Sequence, residues 1–211
     1  MPDKPPSLRE RQAQLTQAEI LKAARRLFAE RGYTRTSVRD IAEAAGVSAQ
    51  TVYDSIGSKQ ALVLRLNDLI DEEAHVREIA GVAATSNDPV EVVSMSAKIA
   101  RSILEHSGDI IHALITGASA EPDLQVVLDV GQTRHVGGAR IAVERLRKMH
   151  ALDESIDVEA AVDTLAALTD IQFALLLRDS YGWSPDRIES WMSGASRALL
   201  LRSLDADEGL G

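Results

Sequence analysis

The stretch GVSAQTVYDSIGSK, Gly46 to Lys59, reads as one short capped helix between two turns. Ser48 stands at the N-cap position, where a side-chain oxygen satisfies a free backbone N–H. Ala49, Val52 and Ile56 share one face at helical spacing. Gln50, Thr51, Asp54 and Ser55 share the opposite face, and Tyr53 sits at the boundary. A narrow apolar strip can hold such a helix on a core while its polar side meets a partner. That polar side carries an acid, Asp54, and no basic residue.

Outward from this stretch, the pattern is helical throughout. Thr16 opens TQAE, a capping box with Glu19, so residues 1–15, rich in proline and charge, read as a disordered arm. Ile20, Ala24, Leu27 and Phe28 follow at helical spacing up to Gly32, a left-handed C-cap. Ser37 starts a second helix with Val38, Ile41, Ala42 and Ala45 on its apolar face, and Gly46 ends it. Two helices joined by Gly46–Val47–Ser48 make a helix-turn-helix. Ser58 caps a fourth helix running to about Ala80. Later helices are expected over 89–106, 109–117, 122–149, 158–181 and 185–204. Pro89, Pro122 and Pro185 each fall in a first turn, where a missing N–H costs nothing. The expected fold is all-α. A three-helix domain is expected over 16–62 and a larger helical domain over 63–211.

Composition supports a helical globule. Apolar residues make up 45% and aromatics only 3%, with Ala and Leu, both strong helix formers, dominant. No cysteine is present, which excludes disulfides and thiolate chemistry. Charges interrupt every apolar stretch, so no membrane span is expected, and the N-terminus has no apolar signal core. The expected setting is cytoplasmic. Net charge is −9, unevenly spread. Residues 1–65 carry 11 Lys and Arg against 7 Asp and Glu; the rest carries 12 against 25. A basic end on an acidic chain directs the search for a nucleic-acid site to that end.

A short helix presenting Gln50, Thr51 and Tyr53 suits a DNA major groove. A glutamine amide pairs with adenine N6 and N7, and a threonine methyl meets thymine. Tyr53 can direct its hydroxyl at a phosphate. Helix starts at Ser37 and Ser58 offer N–H groups to phosphates, with Lys59 and Arg39 as nearby cations. Asp54 can read cytosine N4 or pair with Arg39. Arg9 and Arg11 belong to a solvated tail or to a minor-groove arm.

The span FAERGYTRTSVRDIAEAAGVSAQTVYDSIGSKQAL, Phe28 to Leu62, resembles the DNA-binding domain of tetracycline-repressor-like (TetR family) transcriptional regulators. The shared pattern includes Gly32-Tyr33, Thr36-Ser37-Val38, Ile41-Ala42, Ala45-Gly46-Val47-Ser48, Thr51, Tyr53 and Ser58-Lys59. The resemblance implies a homodimeric repressor on a near-palindromic double-stranded DNA operator, released by a small-molecule effector, with the last two helices as dimer interface. DNA-binding candidates are Thr36, Ser37, Arg39, Ser48, Ala49, Gln50, Thr51, Tyr53, Asp54 and Lys59. Asp54, Ser55 and Ile56 depart from the family, which usually has basic, aromatic or His residues and then Phe at these positions; Ala49 stands where many members carry a larger polar side chain.

Polar residues on otherwise apolar helices are the effector candidates: Thr116, Gln132, His135, Thr169 and Gln172. Dimer candidates are Leu165, Leu168, Ile188, Trp191, Ala195 and Leu199. The five histidines form no metal-ligand motif, no phosphate-binding glycine loop occurs, and no cofactor, metal or catalytic residue is expected. Two competing readings are a helical small-molecule-binding protein or enzyme keeping a relic DNA-binding domain, and a helical interaction module without a ligand.

Overall fold

The computed structural model describes residues 7–118 and 121–202. These form ten helices: α1 Leu8–Arg31, α2 Val38–Ala44, α3 Ala49–Ser55, α4 Lys59–Glu73, α5 Val76–Thr85, α6 Pro89–Ala118, α7 Pro122–Lys148, α8 Val158–Leu168, α9 Ile171–Tyr181 and α10 Pro185–Leu200. Apart from one isolated bridge between Leu152 and Leu201, the described residues contain no β-structure, and the fold class is all-α.

The chain divides into two compact units, Met1–Leu69 with Asp109–Asp129, and Ile70–Gly108 with Val130–Gly211. The first unit thus takes in residues 109–129, which sequence reading assigns to the second domain. Within it α1, α2 and α3 pack on one another. Ile20, Leu27, Phe28, Ile41, Val52, Leu62, Ile110, Leu114 and Leu124 are among its fully buried side chains. Arg25 pairs with Asp109 at 3.1 Å. The second unit is built on an apolar cluster that includes Val92, Val93, Val143, Leu146, Val162, Leu165 and Leu200, and α10 packs on α8 there.

The helix starts follow side-chain chemistry, and some lie elsewhere than expected. Residues 8–15 are helical, not a disordered arm. Ser7 and Glu10 form the capping box instead of Thr16 and Glu19. Ser7 N donates to Glu10 Oε2 at 2.6 Å, and Glu10 N donates back to Ser7 Oγ at 3.3 Å. The same three-residue spacing occurs earlier in the chain, and the first occurrence wins; Thr16 Oγ1 merely bonds back to Gln12 O. Arg9 and Arg11 are therefore exposed on a structured helix, while residues 1–6 lie outside the described residues.

Helix breaks are less legible. The expected single helix from Ser58 to Ala80 stops at Glu73, where buried Ala74 and left-handed His75 (φ 52°) turn the chain into α5. Residues 89–118 form one helix where two are expected. Ser107 is buried and donates to Glu73 at 3.2 Å, and a Cβ at Gly108 would lie 2.6 Å from Arg178 Nη1. These two residues admit close neighbours without breaking α6. Conversely, the expected helix 158–181 is two. Thr169 Oγ1 bonds Leu165 O at 2.7 Å, and Asp170 takes Gln172 N at 2.7 Å, capping α9. By length and composition Val158–Tyr181, with mean hydropathy 1.5, could cross a membrane, against the expectation that charges interrupt every apolar stretch. A break with a carboxylate cap at its middle is unsuited to lipid.

Gly32 ends α1 with φ 79° and ψ 161°, not the left-handed conformation expected. This backbone region is open essentially to glycine alone, and no heavy atom lies within 4 Å of where a Cβ would stand. Gly32→Ala is therefore expected to destabilise by backbone strain alone, about 1–3 kcal/mol. Urea denaturation checks it; a loss below ~0.5 kcal/mol would show that the turn relaxes freely.

Candidate nucleic-acid interface

The α2–turn–α3 segment is fixed by short polar contacts. Ser37 N and Oγ both donate to Asp40 Oδ2, at 2.7 and 2.6 Å, and Asp40 N donates to Ser37 Oγ at 3.2 Å. These hydrogen bonds, the hydroxyl first and then the backbone N–H, hold the Asp40 carboxyl below the usual aspartate range. Gly46, with φ 69°, makes the turn, closed by Val47 N to Ala42 O at 2.9 Å. Ser48 Oγ then accepts from Thr51 N at 3.0 Å and shares a 2.8 Å bond with the Thr51 hydroxyl. At the other end of α3, Gln17 Nε2 donates to Ser55 O at 2.9 Å. Val52 is the one fully buried residue of α3.

The anchor beside α3 is aromatic. Tyr33 is buried and stacks obliquely on Phe28, with centroids 5.3 Å apart. Lys59 Nζ lies 3.7 Å from the Tyr33 ring centroid, a cation–π contact that holds the ammonium at the start of α4. Ser58 Oγ accepts from Ala61 N at 3.1 Å and caps that helix.

On this frame the ten DNA-binding candidates separate. Thr36 is buried, with its hydroxyl donating to Gly32 O at 2.9 Å and Leu27 O at 3.3 Å; its side chain supports the α1–α2 corner and faces no partner. Ser37 spends its hydroxyl and N–H on Asp40, whose charge opposes a phosphate there. Ser48 and Thr51 hold each other, and Ala49 is half-buried. Arg39, Gln50, Tyr53 and Asp54 are exposed, Tyr53 at 52%. Asp54 forms no ion pair with Arg39 among the described residues; its Oδ1 accepts from Gln50 Nε2 at 2.7 Å. Sequence reading missed Gln17 and Asp40 as supports. The Ser-x-x-Asp spacing signals the second; nothing local signals the first.

The second unit carries an open cleft of about 660 Å³. Gln132, Asp163, Asp170 and Gln172 supply its polar groups, and Val136, Phe173 and Leu176 its apolar ones. Only Gln132 and Gln172 of the five effector candidates line it. Thr116 lies on the segment assigned to the first unit and bonds His112 O at 2.8 Å. Thr169 is buried in its helix end. His135 Nε2 sits 2.9 Å from Ala166 O.

Of the dimer candidates, Leu165 and Ile188 are fully buried inside the protomer and unavailable to a second copy. Trp191 and Leu199 are exposed, at 40% and 56%, and Leu168 and Ala195 are half-buried. Leu176 and Tyr181 add further exposed apolar surface. Trp191 meets Phe173 and Trp183 edge-on, at 5.6 and 6.3 Å.

Residues 20–66 match the family described as bacterial regulatory proteins, tetR family. The chain is 29% identical over 197 residues to the HTH-type transcriptional regulator TtgR of Pseudomonas putida, covering 86% of this chain and 90% of that one. Its fold resembles that of NalD, the secondary repressor of the MexAB-OprM multidrug efflux pump in Pseudomonas aeruginosa, with TM-score 0.74 at 22% identity over 92% of this chain and 99% of that one. It also resembles SmeT in its triclosan complex, with TM-score 0.72 at 18% identity over 90% and 93% of the two chains. The match falls on the segment whose caps and turn present α3, and such proteins are regulators, not enzymes. Residues 20–66 thus form a tetR-family DNA-binding segment, and the chain is a DNA-binding transcriptional regulator.

Proposed function

We propose that the protein is a cytoplasmic homodimeric repressor that holds a near-palindromic operator and releases it when a small molecule occupies the second unit. The observation that carries the reading is the exposed face of α3: Gln50, Tyr53 and Asp54 point outward from a helix pinned at both ends. A major groove admits one such helix. Two copies in a dimer would enter successive grooves about 34 Å apart. Arg39, Lys59 and the Tyr53 hydroxyl would meet phosphates, and Gln50 a base edge. The relic reading takes Asp54 as an uncompensated charge, whereas its carboxylate is engaged by Gln50.

The dimer surface would be the exposed apolar side of α9 and α10, with Leu176, Trp191, Ala195 and Leu199, rather than the buried Leu165 and Ile188. Such a pair of helices from each copy makes a two-fold four-helix interface. The cleft beside α9 mixes carboxylates, amides and Phe173, which suits an amphipathic effector. An effector acts by binding the released state better than the DNA-bound one.

Duplex binding as a function of salt tests the reading, because each neutralised phosphate steepens the salt dependence. A protein that shows no salt-sensitive binding to any duplex would defeat it. Tyr53→Phe should weaken binding evenly across sequences by about 1 kcal/mol, roughly fivefold, with base preference unchanged; competition titrations on several duplexes check this. Trp191→Asp should give monomers by light scattering and weaken operator binding steeply. A wild type that is already monomeric at micromolar concentration contradicts the interface. A compound seated in the cleft should raise the melting temperature and release the duplex together, and Gln172→Leu should diminish both effects. Thermal scans against amphipathic compounds, followed by duplex titration, measure the pair.

A further inference from the structure

Gln50 and Asp54 stand one turn apart on the exposed side of α3, with Gln50 Nε2 donating to Asp54 Oδ1 at 2.7 Å. A carboxylate only accepts hydrogen bonds. The amide nitrogen must therefore face Asp54, and the carbonyl oxygen must face away. That fixes which way round the amide sits, a choice otherwise open to a glutamine on a surface. One of its two N–H groups is consumed. The other N–H and the carbonyl oxygen remain, side by side.

A single donor beside a single acceptor complements adenine, whose major-groove edge offers the N7 acceptor and the N6–H donor. Guanine offers two acceptors, N7 and O6. A glutamine with both N–H groups free could turn its nitrogen to guanine. One held by Asp54 would place its carbonyl oxygen against O6. We propose that Asp54 is a positioning residue that orients the Gln50 amide so that α3 reads adenine and rejects guanine. Asp54 itself touches no base. Held in advance, the long glutamine side chain also loses less freedom on binding. This inference rests on the reading of α3 as the helix that enters the major groove.

The test begins with selection of duplexes from a randomised library by the full-length protein. Gln50→Ala then identifies the base pair whose identity Gln50 controls. At that pair the wild type should prefer adenine over guanine by about tenfold or more. Asp54→Ala should lose most of that preference. Asp54→Asn, whose side-chain oxygen accepts the same bond without charge, should keep it. On the Gln50→Ala background, Asp54→Ala should change nothing further at that pair. A purely structural role would instead weaken all sequences alike and leave the preference intact, and that result overturns the inference. Loss of discrimination at a separate C·G pair also overturns it, since Asp54 would then be reading cytosine directly. If Gln50→Ala alters preference at no position, the inference fails while DNA binding stands. If the wild type selects no sequence, the DNA-reading role of α3 fails, and the inference goes with it.

Discussion

A helix of seven residues does not persist in water, because nucleation consumes more order than so few hydrogen bonds return. α3 has that length and buries only Val52 completely. Its existence depends on restraint from outside: Ser48 at its start, Val52 in the core, and the Gln17 amide on the Ser55 carbonyl at its end. With three sides fixed, the fourth can be polar without cost to folding. The exposed face is thus free to be chosen for a partner. The same logic explains why α1 begins so early. The turns that carry Gln17 are part of the support for α3.

Two acids in the basic third of the chain, Asp40 and Asp54, also find an explanation. Asp40 completes the cap of α2 and is held ionised by the Ser37 hydroxyl and N–H. A negative group at a helix N-terminus is favoured by the dipole there. Asp54 is occupied by Gln50. Neither is an idle charge facing a polyanion. The cations stand on the same short segment, Arg39 exposed on α2 and Lys59 over the Tyr33 ring at the start of α4.

In the second unit, cohesion comes from the apolar cluster around Val93, Val143, Val162 and Leu165. Arg101 reaches Glu105, Asp186 and Glu189 at 3.1, 2.8 and 3.5 Å, linking α6 to α10. Exposed pairs of this kind contribute little to stability, about 0–1 kcal/mol each, but they fix how α10 lies. Its outward side then carries Trp191 and Leu199, which the protomer's own core does not cover. Burying them against a second copy would remove from water surface that the single chain leaves wet.

The sequence by itself determined the fold class, the helix-turn-helix and the caps of α2, α3 and α4. Those features are local: a serine before an apolar period, a glycine where φ is positive, a proline in a first turn. It also placed Gln50, Tyr53 and Asp54 on one side of α3, since helical phase alone does that. The tertiary structure decided which of two similar boxes starts α1, because Ser7–Glu10 and Thr16–Glu19 have the same spacing. It decided that Ser107 and Gly108 continue a helix, since that outcome turns on Glu73 and Arg178 as neighbours. It buried Thr36, Leu165 and Ile188, which periodicity cannot do: an apolar or polar position on a face does not say whether that face meets the protomer's core or the world outside. The Gln50 amide on Asp54, by contrast, is a local contact that sequence reading passed over in favour of Arg39: a partner one helical turn away needs no tertiary structure to bring it within reach.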